Sequence, residues 1–311
     1  MRYIGELISL GVAFSWTIAA IASEIGSKRL GVFVMNVWRM SVALLISACL
    51  MWWIWGYPYP MYASKLTWGW LLASGVIGYF FGDWCLFNSY LTIGSRYGQL
   101  FMTLAPMFTT IAAWFMLNQK LSWSALFAMA VTLFGIAISI LGRNEKHHVS
   151  LKLPTKGILF GIGAGLGQGI GLVFSKIGLD NYVADVPSEI LPSIELYLPF
   201  SSNMIRCVAG LFCFSAWLLV SGKAGQMQSS LKEHKGLWAM LVAVLTGPFI
   251  GVGFSLMAVQ YTAAGIASTI MAITPILILL PSYWIFHQPI TFRGVAGAII
   301  SVIGVSLFFL L

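Results

Sequence analysis

The chain has 311 residues, of which 59% are hydrophobic and only 8% are charged. Its mean hydropathy is +0.90, whereas the surface of a soluble domain needs a charged fraction of about 25%. The composition therefore excludes a soluble globular protein and indicates one integral membrane domain. The net charge of +8 does not indicate nucleic-acid binding, because the basic residues are scattered between apolar runs, as in the loops of membrane proteins.

Ten apolar runs follow one another along the chain, each long enough to cross the hydrocarbon core as a helix of about 20 residues. In chain order they are 4–23, 33–55, 68–91, 96–117, 122–141, 157–177, 200–221, 236–260, 264–286 and 291–311. The runs are continuous rather than alternating, which favours helices over the strands of a β-barrel. The first run is predicted to be a retained helix, because no small-residue cleavage site follows it.

A polar linker divides the ten runs into five and five. We expect a first five-helix repeat over 1–142, the linker over 143–156 and a second repeat over 157–311. His147 and His148 in the linker have no cysteine or acidic ligands at matched spacing, so no metal site is expected. The spans hold no clustered nucleophiles or paired acids, so neither an intramembrane enzyme nor a cofactor is expected.

The two halves match each other residue by residue. When the first half is shifted by 169 positions, Gly78 falls on Gly247 and Pro106 falls on Pro275. The shift differs at the second span because the second half carries extra residues within 179–200. A unit with an odd number of spans enters the membrane from the opposite side when it is repeated. The predicted fold class is therefore all-α, with ten transmembrane helices in two inverted five-helix repeats, as in many secondary transporters.

The loop charges predict the orientation, because Lys and Arg favour cytoplasmic loops. With the N-terminus outside, the cytoplasmic loops hold Lys28, Arg29, Arg96, Arg143, Lys146, Lys152, Lys156, Lys223, Lys232, Lys235 and Arg293. The opposite side then holds Arg2, Lys65, Lys120 and Lys176. We therefore expect a multi-pass protein of the inner (cytoplasmic) membrane with both termini extracytoplasmic.

Paired segments late in each half resemble the EamA-type ten-helix group of the drug/metabolite transporter superfamily. In the first half these residues are Leu104, Ala105, Pro106, Gln119, Leu121, Ser122 and Gly135. In the second half they are Ile273, Thr274, Pro275, Gln288, Ile290, Thr291 and Gly304. The likeness covers essentially the whole chain. Gln119 and Gln288 depart from the Glu that is usual in the family, so no proton role is carried over to them.

The resemblance implies a single-chain secondary carrier with a central cavity between the halves and with spans five and ten at the periphery. We expect it to export a small metabolite by alternating access, as a monomer or homodimer in the lipid bilayer, with protons as a candidate coupling ion. The alternatives are an uncoupled exchanger or facilitator and a non-transporting membrane receptor or scaffold. The substrates of the group are diverse, so membership does not name one.

Charges inside spans are costly and mark candidate functional sites. Arg39 and Arg206 occupy equivalent positions in the second span of each half. A guanidinium fork there is suited to an anion or carboxylate. The alternatives are that each side chain extends toward the headgroups or pairs with a carbonyl or an acid.

Asp83 has no acidic counterpart in the second half, where Val252 takes its place. It shares one helical face with Tyr79, Leu86 and Tyr90, which predicts a cavity lining. The alternatives for Asp83 are a coupling proton, a substrate amine, and an ion pair with Arg39 or Arg206.

Glycines recur every four residues in the sixth span, including Gly161, Gly165 and Gly169. Such a row allows close helix packing or provides a gating hinge. Gln168 lies among these glycines and is a further site candidate. Pro106 and Pro275, within matching spans, are expected to bend them.

Glu24 and Lys176 lie at equivalent places near the ends of the first and sixth spans. Their positions near the interface favour solvated or snorkelling side chains over contact with a substrate.

Overall fold

A computed structural model describes residues 3–117, 123–143, 149–151, 153–261, 270–271, 273–288 and 290–310 of the protein. Of the residues discussed above, Arg2, Gln119, Lys120, Leu121, Ser122, Lys146, His147, His148 and Lys152 lie outside the described residues. The regular secondary structure of the described part is helical apart from two three-residue strands at the predicted linker, β1 (Leu141–Arg143) and β2 (Val149–Leu151), which pair antiparallel.

Where the structure describes it, the first repeat contains six α-helices and one π-helix. They are α1 (Ile4–Leu30), α2 (Val32–Trp55), α3 (Lys65–Ser74), a π-helix (Gly75–Asp83), α4 (Trp84–Met102), α5 (Ala105–Leu117) and α6 (Trp123–Ile140). The second repeat continues with α7 (Thr155–Asp185), α8 (Leu191–Ile194), a 3₁₀ turn (Glu195–Tyr197), α9 (Leu198–Val220), α10 (Gly225–Ser230), α11 (His234–Val244), a π-helix (Leu245–Phe249), α12 (Ile250–Tyr261), α13 (Thr274–Leu277), α14 (Leu279–Phe286) and α15 (Phe292–Leu310).

Six helical segments of the described chain are long and apolar enough to cross a membrane. They are Ile4–Leu30, Val32–Trp55, Lys65–Met102, Thr155–Asp185, Leu191–Val220 and His234–Ser255. Shorter apolar helices occupy Ala105–Met116, Leu126–Ser139, Thr274–Phe286 and Phe292–Leu307. The protein is therefore a multi-pass membrane protein whose helices fit the two-repeat layout, and the count of ten spans stays a prediction.

Two helices extend beyond the apolar runs that predicted them. α1 continues to Leu30, where the chain turns at Gly31 with a φ of 80°. α7 continues to Asp185. Charged side chains near a helix end reach toward water without breaking the backbone hydrogen bonds, so hydropathy alone places these ends too early.

Matching positions of the two repeats form π-helices. The shift of 169 positions that aligns the repeats places 76–80, inside the π-helix Gly75–Asp83, on the π-helix Leu245–Phe249. A π-helical turn widens the backbone and is often found at functional sites. These two wide turns lie where the interior of the bundle holds its polar residues.

Pro106 and Pro275 begin helices instead of bending them. Pro106 is the second residue of α5, which follows a turn at Thr103. Pro275 is the second residue of α13. Each predicted span is therefore interrupted by a turn just before its proline, at Thr103 and at Ile273. Proline fits the first turn of the helix that follows, because it removes an N–H that would have had no partner within the helix.

The glycines of α7 pack it tightly against the first repeat. A β-carbon on Gly161 would meet Phe101, one on Gly165 would meet Leu104, and one on Gly169 would meet the backbone at Ala105. Small residues at this spacing bring helix backbones close together. Of the two alternatives for this row, the structure shows close packing.

The helices of the predicted fifth and tenth spans, α6 and α15, pack against each other through matching residues. A β-carbon on Gly135 would meet Ser301, and one on Gly304 would meet Thr132. Gly304 is the repeat mate of Gly135, and Ser301 is the mate of Thr132. Each contact is thus the image of the other, as on a pseudo-two-fold axis between the repeats.

Candidate functional site

Three charged side chains lie deep in the bundle. Arg39 is the eighth residue of α2 and Arg206 is the ninth residue of α9. At a rise of ~1.5 Å per residue, each is roughly 10–12 Å from the start of its helix. Asp83 is the last residue of the first π-helix. None of the three is more than 7% exposed.

Asp83 is fully engaged by its neighbours. Arg39 donates from Nη2 to Oδ2 of Asp83 in a buried ion pair. Gln168 donates from Nε2 to Oδ1 of Asp83 at 2.9 Å and to the carbonyl oxygen of Gly78 at 3.2 Å. Of the alternatives for Asp83, the structure shows pairing with Arg39, and it brings the predicted residue Gln168 beside them. We refer to Arg39, Asp83, Gln168 and Arg206, with the side chains that contact them, as the buried cluster.

Arg206 has a different environment from its repeat mate. Its guanidinium carbon lies 4.6 Å from the centre of the Tyr79 ring. Among the residues that the structure describes, none forms a hydrogen bond or ion pair with this guanidinium, and its Nε is fully buried. The same Tyr79 ring lies 5.9 Å from the guanidinium carbon of Arg39, so both arginines lie beside one ring. The cluster therefore holds two positive charges and one negative charge.

Asn203 links the two π-helices. The hydroxyl of Tyr79 donates to Oδ1 of Asn203, and Nδ2 of Asn203 donates to the carbonyl oxygen of Pro248 at 2.9 Å. The repeat shift places Tyr79 on Pro248. Asn203 thus bridges equivalent positions of the two halves beside Arg206.

Tyr90 contacts the cluster indirectly, through the ring of Phe87. All four residues of the predicted face, Tyr79, Asp83, Leu86 and Tyr90, are buried. The hydroxyl of Tyr90 accepts a hydrogen bond from Nε2 of Gln99 at 2.6 Å. Its ring stacks on Phe87 at 5.7 Å, and the Phe87 ring lies 4.7 Å from the guanidinium carbon of Arg39.

Asn203 and Phe87 were not predicted from the sequence. A signal for Asn203 exists, because the pattern Asn-x-x-Arg occurs at 36–39 and again at 203–206. Nothing in the sequence marks Phe87, whose role follows from the position of Arg39.

The expectation for Glu24 is wrong. Its side chain is fully buried and accepts hydrogen bonds from the backbone N–H of Ser95 at 2.6 Å and from Nζ of Lys28 at 2.5 Å. The equivalent Lys176 is exposed and pairs with Asp180 at 2.9 Å. The hydrogen bond from Ser95, which is distant in the sequence, compensates the cost of burying the Glu24 carboxylate. The position of Glu24 in its span does not reveal this partner.

The cluster offers polar groups that are suited to binding. It offers guanidinium, amide and hydroxyl groups bordered by aromatic rings, an arrangement that can hold a small solute. In the described part of the chain, His, Cys, Asp and Glu do not gather in groups of three or more that would hold a metal ion.

Comparisons with known proteins agree with this picture. The family model described as the EamA-like transporter family matches residues 3–141 and 155–310. No curated protein matches the chain. A crystal structure of a protein is similar over 99% of this chain and 96% of its own, with a TM-score of 0.60 and 14% identity. At that identity the likeness concerns the fold alone.

Proposed function

This chain belongs to the EamA-like transporter family, and we propose that it is a secondary transporter that exports a small metabolite across the cytoplasmic membrane by alternating access. The buried cluster carries the proposal, because both halves supply it. Arg39 and Asp83 come from the first half, and Gln168 and Arg206 come from the second. Secondary transporters bind their substrates between such halves, near the midplane of the bilayer. Since one chain supplies the whole cluster, a monomer is sufficient for transport, and a homodimer would contain two sites.

The proposed arrangement has a first repeat over 1–142, a linker over 143–156 and an inverted second repeat over 157–311, with both termini extracytoplasmic. The excess of Lys and Arg in the loops assigned to the cytoplasm supports this orientation. A reporter that fluoresces only in the cytoplasm, fused after Leu311, is expected to stay dark. A bright reporter contradicts the orientation without affecting the proposed transport.

Asp83 is the proposed coupling residue. A proton bound to Asp83 would neutralise the carboxylate and release Arg39 from the ion pair, which links protonation to a rearrangement of the cluster. In proteoliposomes, Asp83→Asn is then expected to abolish gradient-driven transport and to leave solute exchange measurable. The protonophore-treated wild type is expected to behave in the same way.

An uncoupled exchanger is the competing function, and the Arg39–Asp83 ion pair favours it if the pair persists through the transport cycle. Insensitivity of wild-type transport to the protonophore, together with full activity of Asp83→Asn, would establish uncoupled exchange. A complete lack of solute flux in both assays would contradict the carrier and favour a receptor or scaffold.

A further inference from the structure

We infer that the substrate is a small organic monoanion whose carboxylate binds the guanidinium of Arg206. This inference rests on the proposed function, and it names the substrate class that the buried cluster selects. The starting observation is that Arg206 is only 7% exposed and, within the described chain, has neither a hydrogen-bonding partner nor a salt-bridge partner. A charge buried without a partner is costly, and a charged ligand would compensate that cost.

The charge balance of the site selects the sign of the ligand. Arg39 and Asp83 neutralise each other in their ion pair, so Arg206 leaves the cluster with one uncompensated positive charge. The buried carboxylate of Glu24 does not offset it, because Glu24 is paired with Lys28. A monoanion would bring the net charge of Arg39, Asp83 and Arg206 to zero, whereas a cation would add to the repulsion and a dianion would leave a negative excess.

The hydrogen bonds of Asp83 argue against an amine or a zwitterion. An ammonium group would need a carboxylate whose charge is uncompensated, but Arg39 already neutralises Asp83, and Gln168 donates to its other oxygen. Arg206 instead presents a planar fork of N–H donors that matches a carboxylate. It lies against Gly78, which has no side chain to cover its Nη2.

The aromatic side chains indicate a suitable probe. The ring of Tyr79 lies under Arg206, and the ring of Phe87 lies against Arg39. An aromatic carboxylate can therefore place its charge on the guanidinium and its ring among apolar neighbours. Benzoate, benzamide and benzylamine have nearly the same shape and differ in charge, so together they test the charge of the ligand.

The experiment measures thermal unfolding of the purified full-length protein with each of these compounds and with inorganic phosphate. Benzoate is expected to raise the Tm, whereas benzamide and benzylamine are not. In Arg206→Gln the benzoate shift is expected to disappear and the apparent affinity to fall at least about 30-fold. Lys176→Gln removes a positive charge from an exposed ion pair and is expected to retain the full shift.

Four outcomes overturn the inference: no shift with benzoate, an equal shift with benzamide or benzylamine, a larger Arg206-dependent shift with phosphate, or an unchanged benzoate shift in Arg206→Gln. If Arg206→Gln does not fold, Arg206→Lys decides, because it keeps the charge but loses the fork. Weaker benzoate binding in that variant supports the inference and equal binding overturns it. Counterflow in proteoliposomes separates the two proposals. If benzylamine is transported and benzoate is not, the protein is a carrier but its substrate is not a monoanion. If benzoate binds and no solute is transported, the site binds a monoanion but the protein is not a carrier.

Discussion

Arg39 and Arg206 are repeat mates with the same burial and different partners. Arg39 has the carboxylate of Asp83, and Arg206 has the face of the Tyr79 ring. The difference arises because the second half has Val252 where the first half has Asp83. The single carboxylate forms an ion pair with only one of the two guanidinium groups. Arg39 therefore has a structural role, whereas the guanidinium of Arg206 is free to bind a ligand.

Removing these two arginines should therefore affect stability unequally. Arg39→Gln leaves the Asp83 carboxylate buried without its ion-pair partner, and breaking one side of a buried pair costs about 3–5 kcal/mol. Arg206→Gln leaves the Arg39–Asp83 pair intact, so we expect little loss of stability. Thermal unfolding followed by the fluorescence of the 13 tryptophans measures both variants.

The double variant Arg39→Gln/Asp83→Asn is the control for this comparison. It removes both members of the pair and should recover much of the stability that Arg39→Gln loses, because no unpaired charge remains between them. Equal destabilisation by Arg39→Gln and Arg206→Gln would contradict the division of roles.

At the scale of helices, the break at Gly94 defines where the third predicted span ends. Gly94 has a φ of 81° inside the segment assigned to α4, and the helix starts again at Ser95. A restarting helix exposes N–H groups without partners. The Glu24 carboxylate accepts the first of these, from Ser95, so a residue of α1 caps a helix 71 positions away in the sequence.

Truncating this cap should destabilise the protein. Glu24→Ala leaves the Ser95 N–H buried without an acceptor and Lys28 without its partner, and we expect a loss of about 1–3 kcal/mol. Glu24→Gln keeps an acceptor oxygen and should fall between Glu24→Ala and the wild type. The measurement is again thermal unfolding. Glu195→Ala, at an exposed position, serves as the matched control, and a Tm for Glu24→Ala equal to that control would contradict the capping role.

The sequence predicts the helices well and their ends less well. Continuous hydropathy identifies the spans, because lipid requires long apolar helices. It ends α1 too early, since Lys28 and Arg29 remain helical. The π-helices are also absent from the prediction, because their wide turns have no composition of their own.

The sequence predicts which residues belong to the site better than it predicts which of them form ion pairs and hydrogen bonds with each other. Intramembrane charge alone selects Arg39, Asp83 and Arg206, because lipid makes such residues rare. Which arginine pairs with Asp83 depends on where α2, α9 and the first π-helix meet. That geometry is a property of the tertiary structure, as is the burial of Glu24 against Ser95.

At the scale of the whole molecule, two contacts between corresponding helix ends join the repeats. In the α3–α7 tie, Asp185 accepts hydrogen bonds from the backbone N–H of Ser64 at 2.9 Å and from the Thr67 hydroxyl at 2.5 Å. In the α1–α11 tie, Arg29 pairs with Glu233 at 2.8 Å. The repeat shift places Ser64 on Glu233, and both residues are helix N-caps. Each tie thus joins the end of a repeat's first helix to the start of the other repeat's third.

If the two repeats exchange conformations during transport, these two contacts should break and re-form, whereas the contact between α6 and α15 should persist. The repeat mates Thr132 and Ser301 touch each other, with the Ser301 hydroxyl 3.4 Å from the carbonyl oxygen of Thr132. A contact between mates maps onto itself when the repeats exchange roles, so it can persist through the cycle. The two ties join corresponding helix ends, so the proposed alternating access would open them in turn.

A cross-link across either tie should therefore block transport, whereas a cross-link between α6 and α15 at the Thr132–Ser301 contact should not. In a background in which Cys49, Cys85, Cys207 and Cys213 are replaced, the pairs are Thr67→Cys/Asp185→Cys, Arg29→Cys/Glu233→Cys and Thr132→Cys/Ser301→Cys. A short thiol-specific bridging reagent is expected to stop solute counterflow in the first two pairs and to leave the third active, with recovery after reduction. Continued counterflow through a bridged tie, or its loss when only the Thr132–Ser301 pair is bridged, would contradict an exchange of conformations about this axis.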